Sequence, residues 1–135
     1  MLAVVAVAAT VAAGCAGGRY EPQTTAVAAY TRFVDGGMGR GDIEGACAVV
    51  SDGFRSTLKK QGTNCEEFVK SRQRPQYAGL SIDAAFISEG QRMTRVPGSA
   101  VKLTGGTVPF DVVITEVARG FGSGWVVDAV EEGGR

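Results

Sequence analysis

At Tyr77 the apolar pattern of this chain changes period, and that change limits the fold more than any motif does. Upstream, Ala26, Val27, Tyr30, Phe33 and Val34 form one stripe, and Ile43, Ala46, Cys47 and Val50 form a second. Spacings of three, four and seven residues put such side chains on one face of a helix. Downstream, Leu80, Ile82, Ala84 and Phe86 alternate with Ser81, Asp83, Ala85 and Ile87, which is the period-2 pattern of a strand. Ala100 to Thr104, Phe110 to Ala118 and Trp125 to Val130 supply further strands, with turns at Gly105-Gly106 and Gly120 to Gly124. Helices first and an antiparallel meander second predict an α+β domain. Its N-terminal helices are expected to cover one face of the antiparallel sheet.

Local signals set the expected helix ends. Pro22 suits a first helical turn, and the first stripe is expected to stop at Gly36-Gly37. Asp42 can cap a second helix, Ile43 to Val50. A third short helix carries Phe54 and Leu58. Asn64, with Glu67 three residues on, reads as a capping box opening a fourth helix that Pro75 ends.

The first eighteen residues carry no charge, and small residues lead into Cys15 directly after the apolar run Leu2 to Val11. That run is too short to span a bilayer, which needs roughly 20 apolar residues, and it has the length of a secretory signal. The pattern is that of a lipoprotein export signal with Cys15 as the lipidated residue. Ala12 stands three before the cysteine, where Leu, Val or Ile is usual, and no Lys or Arg precedes the run. This places the expected start codon upstream and keeps two alternatives open, ordinary cleavage without lipid and an uncleaved anchor. The expected organisation is a signal peptide over residues 1–14, a tether over 15–21 and one domain over 22–135. All three readings put the domain on the outer face of the cytoplasmic membrane.

Export permits Cys47 and Cys65 to pair. Cys65, Phe68 and Val69 follow the same helical spacing as Cys47 and its neighbours, so both thiols face one core. A Cys47–Cys65 disulfide is expected, with two buried free thiols as the alternative.

The order of elements resembles the nuclear transport factor 2-like superfamily, which includes the SnoaL-like cyclases and the ketosteroid isomerases. Within it the chain most resembles small actinobacterial envelope lipoproteins. The resemblance is carried by Ala26 to Val34, by Arg40-Gly41-Asp42 leading into Ala46-Cys47-Ala48-Val49-Val50-Ser51, by Cys65, and by Gly124-Trp125-Val126-Val127-Asp128. It implies a cystatin-like cone of curved sheet with helices in its mouth. In enzymes of this kind a strand carboxylate faces the cone opposite a tyrosine. The corresponding candidates here are Asp83, Asp111 and Asp128, with Tyr30 and Tyr77 as donors.

Chemistry is limited by what the chain lacks. It has no histidine, which removes the commonest general base and most transition-metal sites. With Cys15 acylated and the other cysteines bridged, thiol catalysis is removed as well. No phosphate loop or dinucleotide fingerprint occurs, and Gly120 to Gly124 joins strands, so it reads as a hairpin turn. Fourteen basic residues balance fourteen acidic ones, which gives no argument for nucleic acid. No cofactor or metal is expected. Arg40-Gly41-Asp42 spells an adhesion tripeptide but is accounted for by a turn and a cap. Lys59, Lys60, Lys70, Arg72 and Arg74 concentrate positive charge, which reads as a solvated helix face or as a contact with anionic headgroups.

The expected function is a non-catalytic, secreted, lipid-anchored domain that binds a small apolar ligand or an envelope protein partner through Tyr30, Phe33 and Trp125. Two alternatives stand beside it: a cyclase- or isomerase-like general-base enzyme using Asp83 or Asp128 with Tyr30, and a structural accessory subunit of a membrane complex.

Overall fold

The computed structural model describes residues 20–87 and 91–132. The signal peptide and Cys15 lie outside the described residues. Helices come first and antiparallel strands second, so the chain is α+β.

Helix α1, Ala26–Tyr30, starts at Thr25, whose Oγ1 accepts from the Ala28 amide at 3.0 Å. Pro22 is not in its first turn. That stretch is extended, and Gln23 exchanges two backbone hydrogen bonds with Trp125. From α1 the chain runs directly into a nine-residue π-helix, Thr31–Gly39, passing through the two glycines expected to end it. The reason is steric. A Cβ on Gly37 would overlap Ala46, and one on Gly39 would sit 2.5 Å from the Ala78 amide nitrogen. These glycines let neighbouring elements press against the helix, which continues past Gly36-Gly37.

Helix α2, Ile43–Ala48, is capped by Asp42, which accepts from the Gly45 amide at 3.1 Å. It stops before Val49 and Val50, β-branched residues that suit extended backbone. Their segment lies beside the last strand: the Val127 amide donates to the Val49 carbonyl and the Ser51 amide to the Val127 carbonyl. Helix α3, Asp52–Lys60, is capped by Ser51. Helix α4, Cys65–Lys70, is capped by Asn64, which accepts from the Glu67 amide at 2.9 Å, and it ends well before Pro75.

The strands form two three-stranded antiparallel sheets instead of one meander. The smaller sheet is built from β1 (Ser81–Ile82), β3 (Val101–Leu103) and β4 (Gly106–Thr107), and the larger from β2 (Met93–Val96), β5 (Phe110–Arg119) and β6 (Gly122–Glu132). Two differences from the sequence pattern stand out. The expected strand from Leu80 to Ile87 is reduced to β1, because Asp83 accepts from the Ala85 amide and starts a 3-10 turn over Ala84–Phe86. Strand β2, which was not expected, forms the edge of the larger sheet against β5.

Strands β5 and β6 form a hairpin whose loop is only Gly120-Phe121, with Gly120 at φ +57°. Helix α1 packs on both strands. The core between helices and sheet contains Tyr30, Phe33, Met38, Leu58, Val112 and Ile114, all at 0–1 % exposure. Phe33, Phe54 and Phe68 form a run of edge-on aromatic contacts through the helical layer.

Candidate functional site

Cys47 on α2 and Cys65 on α4 are joined by a disulfide, with Sγ atoms 2.09 Å apart and both residues buried. The bond links two short helices that pack side by side against the π-helix, where Gly37 would meet both Ala46 and Val69 if it carried a side chain.

The residues expected to contact a ligand occupy different environments. Tyr30 and Phe33 are fully buried in the core, whereas Trp125 is half-buried and packs against its edge. The Tyr30 hydroxyl has no hydrogen-bond partner among the described residues. Burial drives its pKa well above the usual tyrosine value, and the nearby ionisable groups of Tyr77 and Asp111 add to the rise. Tyr77 is also buried, its ring edge-on to Phe110 at 6.0 Å. Its pKa is raised by burial, against the lowering effect of Arg74 and Arg72.

Each strand carboxylate considered as a general base has a partner. Asp83 is exposed and caps the 3-10 turn. Asp111 accepts from the Gly98 amide at 3.0 Å, with Arg95 4.0 Å from its other oxygen. Asp128 accepts from the Ser51 hydroxyl at 2.6 Å, and Ser51 in turn caps α3. Position 128 is the unpaired residue of a β-bulge, since Val113 opposes Ala129 while Ile114 opposes Val127. The bulge interrupts the alternation of β6, and this side chain meets Ser51 at the start of α3.

One buried carboxylate was not anticipated. Asp35, 8 % exposed, accepts from Arg40 Nε at 2.5 Å and from the Gly79 amide at 2.8 Å. Asp35 and Arg40 are five residues apart, the spacing that a π-helix brings onto one face and an α-helix does not. With a 3.6-residue repeat assumed, nothing in the sequence paired them.

Clefts open on the surface of the described residues. One of about 430 Å³ is lined by Pro97, Gly98, Ser99, Thr107, Val108, Pro109, Phe110 and Asp111. A second of about 340 Å³ shares Pro109 and Phe110 and adds Ser71, Arg72, Arg74, Tyr77 and Glu132. The third, about 240 Å³, lies between Arg32, Asp42, Glu44, Gly45 and Ala48. Tyr30, Phe33 and Trp125 line none of these three. The pair that meets at Phe110 offers proline and aromatic walls beside two guanidinium groups, a surface suited to an apolar body with a polar or anionic end. Arg72 is partly committed: it lies 3.8 Å over the Phe68 ring and ion-pairs with Glu132.

Among the described residues no cluster of three or more His, Cys, Asp or Glu is placed to hold a metal. No described helix is long and apolar enough to cross a membrane. No known family model, curated protein or solved structure matches the chain.

Proposed function

We propose that this protein is a non-catalytic binding domain, held at the outer face of the cytoplasmic membrane by a lipid on Cys15, with its binding surface in the paired clefts at Phe110. The observation that supports this reading most is the role of the strand carboxylates: Asp83, Asp111 and Asp128 each serve a turn, a backbone amide or a helix cap. Each therefore has one carboxylate oxygen engaged in holding the fold, which gives these side chains a structural role. The core is filled by the chain's own side chains, which moves the expected ligand contacts from Tyr30 and Phe33 to the surface around Pro109, Phe110 and Arg74. Two walls of proline and aromatic carbon with a few polar groups are the composition of a small-molecule or peptide site. Of the three cysteines, the disulfide uses two, so Cys15 is the thiol left for acylation.

Native mass spectrometry of the protein purified from its own host and stripped of lipid tests the binding role. A bound mass that is released on denaturation, and lost in Thr107→Trp and Arg74→Glu, is the expected result. Thr107 and Arg74 are both exposed, so neither change disturbs the core. A bound mass unaffected by both substitutions would place the site elsewhere, and turnover of that compound would refute the non-catalytic reading. Fractionation tests the anchor: Cys15→Ser should move the protein from membranes to the soluble fraction.

A further inference from the structure

We infer that the clefts meeting at Phe110 take a small apolar carboxylic acid, bound as its carboxylate with Arg74 as the anion contact. The inference rests on the binding surface proposed above and adds the chemical class of its ligand. Charge is unevenly matched there. The charged side chains lining the cleft of about 340 Å³ are Arg72, Arg74 and Glu132. Arg72 ion-pairs with Glu132 and covers the Phe68 ring, whereas Arg74 has no carboxylate partner among the described residues.

Arg74 is exposed, yet its backbone is fixed. Its amide donates to the Met38 carbonyl at 2.9 Å, and Pro75 opens a 3-10 turn, Pro75–Tyr77, whose Tyr77 amide donates to the Arg74 carbonyl at 3.0 Å. That closure sets residues 74 and 77 one above the other, and the Arg74 guanidinium donates to the Tyr77 hydroxyl oxygen. A guanidinium has five N–H donors and a phenol one O–H, so this contact uses one N–H and leaves the others, with the phenol proton, for a ligand.

One uncompensated cation selects one negative charge. A carboxylate matches the planar fork of a guanidinium and balances Arg74 with a single charge. A phosphate monoester, with nearly two charges, brings the excess beside Glu132, and an alkylammonium faces Arg74 itself. The other cleft sets the direction of the ligand. Asp111 lines it and repels a carboxylate, so the anionic end lies at Arg74 and the apolar body against Pro109 and Phe110, which the two clefts share. A volume of about 340 Å³ is near the lower end for small-molecule sites, which fits a short chain or a single ring.

The test titrates the purified, delipidated full chain with probes that share one tail: octanoate, octan-1-ol, octylammonium and octyl phosphate. Binding is read by NMR at the amides of Tyr77, Val108 and Phe110. Octanoate should bind about tenfold more tightly than octanol, as one charge-assisted contact allows. Arg74→Gln should bring octanoate down to the affinity of octanol and leave octanol unchanged. Arg74→Lys should fall between, since it keeps the charge and loses the fork. Octanol binding as tightly as octanoate, tightest binding by octylammonium or octyl phosphate, or octanoate binding untouched by Arg74→Gln overturns the assignment while leaving the clefts as the binding surface. If no probe moves these amides, the carboxylate assignment falls, and the clefts fall with it only when the mass retained from the host also survives Thr107→Trp.

Discussion

Cutting the Cys47–Cys65 crosslink should cost this domain a large part of its stability. The bond closes a loop over a sequence separation of 18 residues. In the chain-entropy treatment a loop of that length removes roughly 3 kcal/mol of freedom from the unfolded chain, against a total of about 5–15 kcal/mol for a typical domain. Two perturbations separate this effect from packing. Reduction leaves both sulfurs in the core and removes only the crosslink, so urea unfolding should lose about 3 kcal/mol, or roughly 10–15 °C in Tm for a domain of this size. The Cys47→Ala/Cys65→Ala double variant also removes two buried sulfur atoms and should lose a further 1–2 kcal/mol or so through the space left at 3 % and 1 % exposure. The assay is equilibrium urea denaturation followed by Trp125 fluorescence, with free thiols counted before unfolding. A loss below about 1 kcal/mol on complete reduction would refute the reasoning, since the loop term in this treatment depends only on chain length.

Tyr30→Phe should be neutral or stabilising by about 1 kcal/mol, because the hydroxyl it removes is buried with no hydrogen-bond partner among the described residues; a clear loss in thermal melts would mean that the hydroxyl is bonded. Because the pKa of folded Tyr30 lies above its unfolded value, the stability it contributes is complete below about pH 10 and is lost as pH rises through the folded value. Wild type should therefore unfold at alkaline pH more readily than Tyr30→Phe, as circular dichroism across pH 9–12 or so would show. Asp35→Ala removes a nearly buried carboxylate from both Arg40 and the Gly79 amide and should cost about 3 kcal/mol in urea titration, whereas Asp35→Asn, which can still accept from Gly79, should cost less. Gly98→Ala would drive a methyl group into the carbonyl oxygens of Val108 and Phe110, so a loss of about 1–3 kcal/mol is expected, and unchanged melting would show that the loop yields.

What could be read from residues alone depended on short range. Asp42 and Asn64 cap helices because a cap needs only a side chain and an amide three residues away. Cys47 and Cys65 could be paired because both sit on apolar helix faces, and two such faces in one small domain must meet in its single core. The existence of a hairpin was legible for the same reason, as the glycine-rich interruption Gly120 to Gly124 between two β-rich runs, but Gly122 to Gly124 belong to β6 and the loop is only Gly120-Phe121. Tertiary contact decided the rest. Gly36 and Gly37 look like a helix end until Ala46 and Ala78 are seen pressing against the helix they lie in. Asp35 and Arg40 meet because the helix there runs in a five-residue register. The facing of Asp128 was set by a bulge, and Asp83 turned the chain where its neighbours alternated like a strand. Local hydrogen bonds are written in adjacent residues, but which face is pressed, where a strand slips by one residue, and which carboxylate is left free are settled by partners remote in the chain.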